Sequence, residues 1–344
     1  MAKAKQPTSL SDIGEFGLIE RLTGEIRLKH PASLMGVGDD AAVIDCGDSC
    51  MIVTTDMLTE GIHFDLMYTP LMHLGYKAVI ANLSDVYAMN AIPKQITVSI
   101  AVSSKFSVEA LEELYRGIHL ACENYEVDLV GGDTVSSLTG LTISVTAIGT
   151  ARKEEIAYRS GAQVNDLVCV SGDLGASYLG LQVLEREKAL FEKDETMQPD
   201  LEGYDYILER QLKPEARKDI IEMLKAENIR VHSMIDISDG LSSELIHICR
   251  NSGKGCQVYA DRVPVHKDTV KAAGEFKMEG IMSALHGGED YELLFTVTLD
   301  EYEKIKKLDE ITIIGNITED TRTIMVMGDG EGVELVAEGW DGLT

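Results

Sequence analysis

Six short segments of the chain place acidic residues beside glycine, serine or threonine, a combination suited to metal and phosphate chemistry. They are GDD (38–40), TTD (54–56), NLSD (82–85), GGD (131–133), DISDG (236–240) and GGED (287–290). Carboxylate and hydroxyl oxygens are the ligands that Mg²⁺ prefers, and phosphate oxygens with water complete its octahedron. Most of these segments have no histidine nearby, which argues against a transition-metal centre. The set therefore predicts a magnesium site.

The GDD segment also has a simpler interpretation as a turn, because glycine and aspartate are common turn formers. The position of the other acids favours a site. Asp56, Asp133 and Asp236 come at or near the ends of apolar runs, and ligands of α/β proteins tend to bind at the carboxyl ends of strands. Charges that served only solubility would be scattered over helix faces instead.

The net charge limits the possible partners. The 344 residues include 31 Lys and Arg against 58 Asp and Glu, a net charge of −27. Such a charge repels nucleic acid and anionic membranes, so we expect neither as a partner. Nucleotide phosphates bind such a chain only where metal ions or local cations cancel the repulsion, for which several Mg²⁺ ions would serve.

The location and the thiol chemistry follow from what the sequence lacks. No apolar run follows the N-terminal lysines, and about 18 uncharged apolar residues never occur together. The six cysteines form no C-x-x-C pair. We expect a cytoplasmic protein with reduced thiols and no zinc site.

The common phosphate-binding motifs are absent from the sequence. The P-loop pattern does not occur, and SGKG (252–255) lacks its spacing and its following hydroxyl. The H-R-D and D-F-G segments of protein kinases are also missing. Phosphates would therefore be held by metals and by backbone amides next to glycine.

Strand-like and helix-like segments alternate along the chain. Residues 50–56 and 96–104 read as strands, and residues 71–91 and 107–126 as helices, the second with Ser107 as its N-cap. The pattern predicts a mixed α/β fold, without the strict periodicity of a parallel doubly wound sheet. We predict two domains, residues 1–150 and 151–344.

Three further local predictions concern the second half. Pro214 suits the first turn of a helix. Ser238 suits a helix N-cap, which is also a favourable place for a phosphate. The charged stretch 185–206 reads as helical but poorly packed.

Taken together, the motifs resemble a known family. SDIGEFGLIERL, GVGDDAAVI, TTDMLTEGIHF, KAVIANLSDVYAMNAIP, GGDT, RSGA, DISDGLSSEL and GGEDYELLF follow one another in this order. The combined set resembles thiamine-monophosphate kinases of the AIR-synthetase-like group, and the resemblance extends from about residue 10 to residue 340. The resemblance implies transfer of the ATP γ-phosphoryl to thiamine monophosphate with several Mg²⁺ ions. It also implies an N-terminal α/β domain that forms a homodimer through its sheet and a C-terminal α/β domain that completes the active site.

The resemblance also implies roles for individual residues. The metal ligands would be Asp40, Thr54, Thr55, Asp56, Asp85, Asp133, Asp236 and Asp239. The ATP-binding residues would be Tyr115, Gly132, Asp133, Arg159 and Ser238. The thiamine-phosphate residues would be His63, Glu289 and Trp340. Asp39 would be a turn or supporting residue that orients Asp40. No general base is expected, since the acceptor oxygen is already anionic.

Structural explanations exist for several of these residues. His63 could be a structural histidine at a strand end, Arg159 a surface or turn arginine, and Trp340 an anchor for the C-terminal tail. Two other functions also remain open. One is another ATP-dependent enzyme of the AIR-synthetase-like group, although a selenide enzyme would need a reactive cysteine before Cys46, the first one here. The other is a non-catalytic acidic cation-binding protein, although the chain has no EF-hand loop.

Overall fold

The computed structural model describes residues 14–336, which form two β-sheets with helices packed against them. The first sheet contains β1 (Ser33–Met35), β2 (Ala42–Asp45), β3 (Cys50–Thr59), β4 (Ile92–Ser103), β5 (Asp128–Ser137) and β6 (Thr142–Ala151). The second contains β7 (Leu167–Ser171), β8 (Val231–Asp236), β9 (Gly255–Tyr259), β10 (Leu293–Val297), β11 (Ile311–Thr318), β12 (Thr323–Val326) and β13 (Gly332–Glu334).

The helices lie between these strands in the sequence. They are α1 (Gly14–Thr23), α2 (Leu71–Ala88), α3 (Val108–Tyr125), α4 (Ala176–Lys193), α5 (Asp205–Leu212), α6 (Lys218–Ala226), α7 (Leu241–Ser252), α8 (Lys267–Glu275), α9 (Gly280–His286) and α10 (Tyr302–Ile305). Short 3₁₀ turns occur at Ala260–Arg262 and Leu299–Glu301. No helix within residues 14–336 has both the length and the apolar character needed to cross a bilayer.

Both sheets are mixed, as the sequence predicts. The first has the order β1-β2-β3-β6-β4-β5, with only the β4–β5 pair parallel. The second has the order β13-β12-β9-β11-β7-β10-β8, with only the β12–β9 pair parallel. The mixed α/β prediction is therefore confirmed.

Helix α2 is the central element of the first half, because it is buried along most of its length. It packs against β3, β6 and α3. Two glycines allow α2 and α3 to approach closely: a Cβ at Gly75 would clash with the Leu114 carbonyl, and one at Gly117 with the Met72 carbonyl. The Ser107 hydroxyl caps α3 by accepting from the Ala110 N–H at 3.2 Å, which confirms the predicted cap.

The two faces of the first sheet differ in burial. Alternate residues of β4 and β6 are buried beneath the helices, as the period of two requires. The opposite face is partly exposed, with Met57 57% and Val135 52% exposed. We call this side of the sheet the open face.

The largest hydrophobic cluster joins the two sheets. It includes Ile52 and Leu83 from the first half and Cys169 and Phe295 from the second. The first sheet ends at Ala151 and the second begins at Leu167. The division at residue 150 stays a prediction, and the two sheets share one core.

Two local predictions need correction. Pro214 lies in a loop rather than in the first turn of a helix, because α6 begins only at Lys218. The charged stretch 185–206 is helical as far as Lys193 and again from Asp205, where α5 begins. Its Glu187 is buried and accepts from the Asp200 N–H at 2.9 Å, so the end of α4 is packed against the loop that joins it to α5.

Candidate functional site

Three aspartates from three separate elements meet where the two sheets adjoin. Asp40 precedes β2, Asp85 lies on α2 and Asp236 ends β8, and each offers a carboxylate oxygen within 4.8 Å of the others. We call these three residues the carboxylate cluster. Hydroxyls of the first half brace it: Thr54 donates to Asp85 at 2.6 Å, and Ser84 donates to Asp236 at 2.6 Å.

Burial and mutual repulsion make this cluster difficult to ionise. Burial, followed by the charges of Asp56, Asp236 and Asp40, raises the pKa of Asp85 well above its usual value. Burial and the Asp40 charge raise the pKa of Asp236 to about 7. Burial alone raises the pKa of Asp56 to about 6. Like charges out of water behave in this way unless a cation joins them.

One arginine offsets part of this charge. The Arg159 guanidinium lies 2.6 Å from Asp40 Oδ1, whereas Asp40 Oδ2 is buried without a hydrogen-bond partner among the described residues. Asp39 accepts from the backbone N–H groups of Asp40 at 3.1 Å and of Arg159 at 3.2 Å. This geometry agrees with the supporting role expected of Asp39. Burial raises the pKa of Asp39 to about 7.

Two further predicted ligands lie near the cluster. Asp56 is close enough for its charge to act on Asp85 and Asp236, and its N–H donates to Asn82 Oδ1 at 3.1 Å. The Asp239 N–H donates to the buried Glu244 at 3.0 Å. Burial and the Asp239 charge raise the pKa of Glu244 well above its usual value.

The N-cap prediction for Ser238 is wrong, since α7 begins at Leu241 with Gly240 as its cap residue. The Ser238 backbone has a different role: its carbonyl accepts from the Glu289 N–H at 2.7 Å. This backbone hydrogen bond joins the DISDG and GGED segments. It places Glu289 beside the turn that follows Asp236 at the end of β8.

Two residues of the predicted thiamine-phosphate set, His63 and Glu289, are held by contacts within the chain. His63 Nδ1 accepts from the Thr59 N–H at 3.1 Å in the segment after β3. Glu289 lies 2.9 Å from the Lys77 ammonium and stays 31% exposed. Trp340 lies outside the described residues.

The other predicted residues within 14–336 do not join the cluster. Thr55 donates its hydroxyl to the Val145 carbonyl at 3.0 Å, away from the side on which Thr54 lies. Asp133 lies on the edge strand β5, where it pairs with Ser99 of β4 and is exposed. Because side chains alternate along strands, Thr55 and Asp133 share the open face of the sheet.

Gly132 and Tyr115 also lie apart from the cluster. Gly132 is exposed on β5, where any Cβ would clash with the Val98 carbonyl. Tyr115 is half-buried on α3, its ring 6.3 Å from that of His119.

Sequence reasoning missed several residues that shape the site. They are Lys77, Asn82, Ser84, Gln211 and Glu244. A usable signal existed for four of them, because they lie inside the quoted motifs: Lys77, Asn82 and Ser84 in KAVIANLSDVYAMNAIP, and Glu244 in DISDGLSSEL. Gln211 gave no signal, because its contact depends on two elements distant in sequence.

Comparison with known proteins agrees with this arrangement. Residues 38–151 match the model of the AIR synthase related protein, N-terminal domain, and residues 163–328 match that of the C-terminal domain. Fold and site together therefore define an AIR synthase related protein.

Individual relatives narrow the class. Thiamine-monophosphate kinase from Bacillus subtilis (strain 168) is 34% identical over 91% of this chain and 94% of its own. That from Aquifex aeolicus (strain VF5) is 32% identical over 96% and 98%. A solved structure described as AaThiL complexed with AMPPCP and TMP superposes with a TM-score of 0.81 at 30% identity, covering 98% of this chain and 99% of that one. The chain belongs to the thiamine-monophosphate kinase family.

Proposed function

We propose that the chain transfers the γ-phosphoryl of ATP to thiamine monophosphate, giving thiamine diphosphate and ADP. Its relatives carry the name of this activity, and the similar solved structure is described as a complex with AMPPCP and TMP. The observation that carries the proposal is the buried carboxylate cluster at the junction of the sheets. Transfer between two phosphate groups needs strong neutralisation of charge and precise alignment.

Magnesium fits the residues at the cluster. The donors are oxygens, their charges repel one another, and Asp40 Oδ2 is buried without a partner among residues 14–336. Asp40, Asp85 and Asp236 would hold Mg²⁺, with Thr54 and Asp56 beside them. When bound, the metal neutralises phosphate charge and orients the two phosphates.

The chain's own residues supply the remaining functions. Arg159 is a cation in direct contact with the cluster, and a guanidinium can bind a phosphate in bidentate fashion. Ser238 and Asp239 lie in the turn beside the cluster, where we place the nucleotide phosphates and a further metal ion. His63 and Glu289 would hold the acceptor, as would Trp340. No residue needs to remove a proton, because the attacking phosphate oxygen is already anionic.

A homodimer would account for the predicted residues that lie apart from the cluster. Asp133, Gly132 and Thr55 belong to the open sheet and its edge strand, and a long exposed edge is a template for pairing with another chain. We propose that two copies associate through this sheet. Tyr115 and these residues would then bind nucleotide and metal in the complete dimer.

We further propose a cytoplasmic location. All the described cysteines are free, including Cys249 and Cys256, which are close enough to shift each other's pKa yet form no disulfide. Unlinked neighbouring thiols are typical of a reducing compartment.

The test is an assay with Mg·ATP and thiamine monophosphate that separates thiamine diphosphate, ADP and free phosphate, with thiamine as control acceptor. We expect equal amounts of thiamine diphosphate and ADP, and no product from thiamine. ADP without thiamine diphosphate would favour another AIR-synthetase-like enzyme. No turnover of ATP at all would favour the cation-binding alternative.

A further inference from the structure

A lysine of α2 reaches into the second half of the chain and holds Glu289. The Lys77 Nζ lies 2.9 Å from Glu289 Oε1 and donates to the Gln211 carbonyl at 3.2 Å. The Lys77 side chain is only 6% exposed, whereas that of Glu289 is 31% exposed. The ammonium thus lies on the inner side of the carboxylate, and the outer side stays open to a ligand.

The second oxygen of Glu289 is also held. Gln211 Nε2 lies 3.3 Å from Glu289 Oε2, and the Gln211 side chain accepts in turn from the Ser177 hydroxyl at 2.5 Å. Lys77 of α2 therefore contacts one carboxylate oxygen of Glu289, and Gln211 of α5 contacts the other.

The backbone beneath Glu289 is equally constrained. Glu289 has a φ of 56°, in the left-handed region that side chains other than glycine rarely adopt. Its N–H donates to the Ser238 carbonyl, and Gly288 packs so closely against Ser238 that a Cβ there would clash. Uncommon backbone conformations of this kind occur often at ligand sites, where the surrounding structure enforces them.

We propose that Lys77 is a positioning residue for acceptor recognition, fixing the Glu289 carboxylate in the one orientation that receives the cationic ring of thiamine monophosphate. This inference rests on the proposed function and adds to it a residue that contacts neither substrate. A carboxylate held in its binding orientation loses less conformational entropy when the ligand arrives. The thiazolium ring carries a permanent positive charge, which a fixed carboxylate complements.

Helix α2 gives this arrangement a second consequence. Lys77 and Asp85 are eight residues apart on it, about 12 Å along the axis at 1.5 Å per residue. The helix therefore separates the phosphate-binding end of the proposed site, at Asp85, from the ring-binding end, at Lys77. A change at Lys77 should affect the acceptor and leave the nucleotide unaffected.

The experiment compares Lys77→Met and Lys77→Arg with the wild type. For Lys77→Met we expect KM for thiamine monophosphate to rise about tenfold, with KM for ATP within about twofold, since only acceptor binding is lost. Lys77→Arg should recover part of the loss because its guanidinium keeps the charge. The matched control is Lys218→Met, which removes an ion pair to Glu126 that also joins the two halves but lies away from the site.

Two further measurements separate positioning from a merely structural role. If Lys77 acts through Glu289, the double variant Lys77→Met/Glu289→Gln should bind thiamine monophosphate no less tightly than whichever single variant binds it less tightly. If Lys77→Met fails to fold, Gln211→Leu removes the other grip on Glu289 and should raise the same KM in a folded protein. Equal rises in both KM values, or additive losses in the double variant, would overturn the inference.

Calorimetric titration of thiamine monophosphate distinguishes this inference from the function on which it rests. A wild type that does not bind thiamine monophosphate overturns both. A wild type that binds and phosphorylates it, with unchanged affinity in Lys77→Met, overturns only the role of Lys77.

Discussion

Two groups of buried charges lie on neighbouring strands of the second sheet, and they are built in opposite ways. Asp236 ends β8 among other carboxylates, with Arg159 as the nearby cation. Glu292 directly precedes β10, where Leu293 pairs with Asp236. It is fully buried between Arg210, at 2.9 Å, and Arg217, and accepts from the Ser171 hydroxyl at 2.5 Å.

The difference concerns which molecule completes each group. The protein itself surrounds Glu292 with opposite charges, so this group is a finished structural element. The carboxylate cluster has an excess of like charge and one buried oxygen without a partner among the described residues. Substitutions should therefore reduce stability at the Glu292 group and activity at the carboxylate cluster.

The largest effect on stability should come from Glu292→Gln. Removing this charge takes the buried carboxylate away from both guanidiniums. Arg217 then keeps only exposed partners, and Arg210 keeps Asp290 at 3.9 Å. We expect a cost of about 3–5 kcal/mol of unfolding free energy. Urea denaturation without metal measures it. The control is Asp219→Asn: Asp219 is an exposed partner of Arg217, and its loss should cost less than about 1 kcal/mol. A loss no larger in Glu292→Gln than in Asp219→Asn would contradict the comparison.

Asp85→Asn should show the reverse behaviour. We expect turnover to fall by roughly 10² or more, because the variant lacks a preorganised charge of the site. Its unfolding free energy without metal should be unchanged or higher, since a repelling charge is gone. Steady-state kinetics and urea denaturation give the two values, with the exposed Asp48→Asn as control. Wild-type turnover would remove Asp85 from the site.

Mg·ATP should stabilise the wild type by mass action. At a concentration about 100 times Kd the gain is about 2.7 kcal/mol, seen as a higher Tm in differential scanning calorimetry. Asp85→Asn should gain much less, whereas Glu292→Gln should keep most of the gain. No shift in the wild type at millimolar Mg·ATP would count against the cluster as a metal site.

The last prediction concerns pH, with a slope of up to about 1.4 kcal/mol per pH unit for one group. The folded pKa of Asp236, about 7, is raised above its ordinary value of 3.8. Its contribution to stability is therefore full below about pH 4 and disappears as the pH rises through 7. Without metal, the unfolding free energy should fall between pH 5 and pH 8, and the fall should be shallower in Asp85→Asn. A flat profile in the wild type would show that the carboxylates are not crowded.

The sequence predicted the elements whose signals are local. The strand at 50–56, the helix from Leu71 and the Ser107 cap each depend on periodicity or on one neighbouring hydrogen bond, and all are present. The Pro214 and Ser238 predictions failed because other residues of the same loops set the starts of α6 and α7.

The site was only partly predictable for a similar reason. The motif resemblance pointed to Asp40, Asp85 and Asp236, and the fold brings them together. The expectation that these acids follow the ends of strands fails for Asp133, which lies in the middle of an exposed edge strand. The Glu292 group was invisible in the sequence, because Arg210 and Arg217 meet Glu292 only across 82 and 75 residues of chain.

The shared core between the two sheets has a consequence for how the molecule unfolds. Ile52 and Leu83 pack in the same apolar cluster as Cys169 and Phe295, so neither half can lose its structure without exposing the other. We therefore expect both halves to melt in a single cooperative transition. A chain cut between Ala151 and Leu167 should yield two fragments that are insoluble apart and regain structure when mixed.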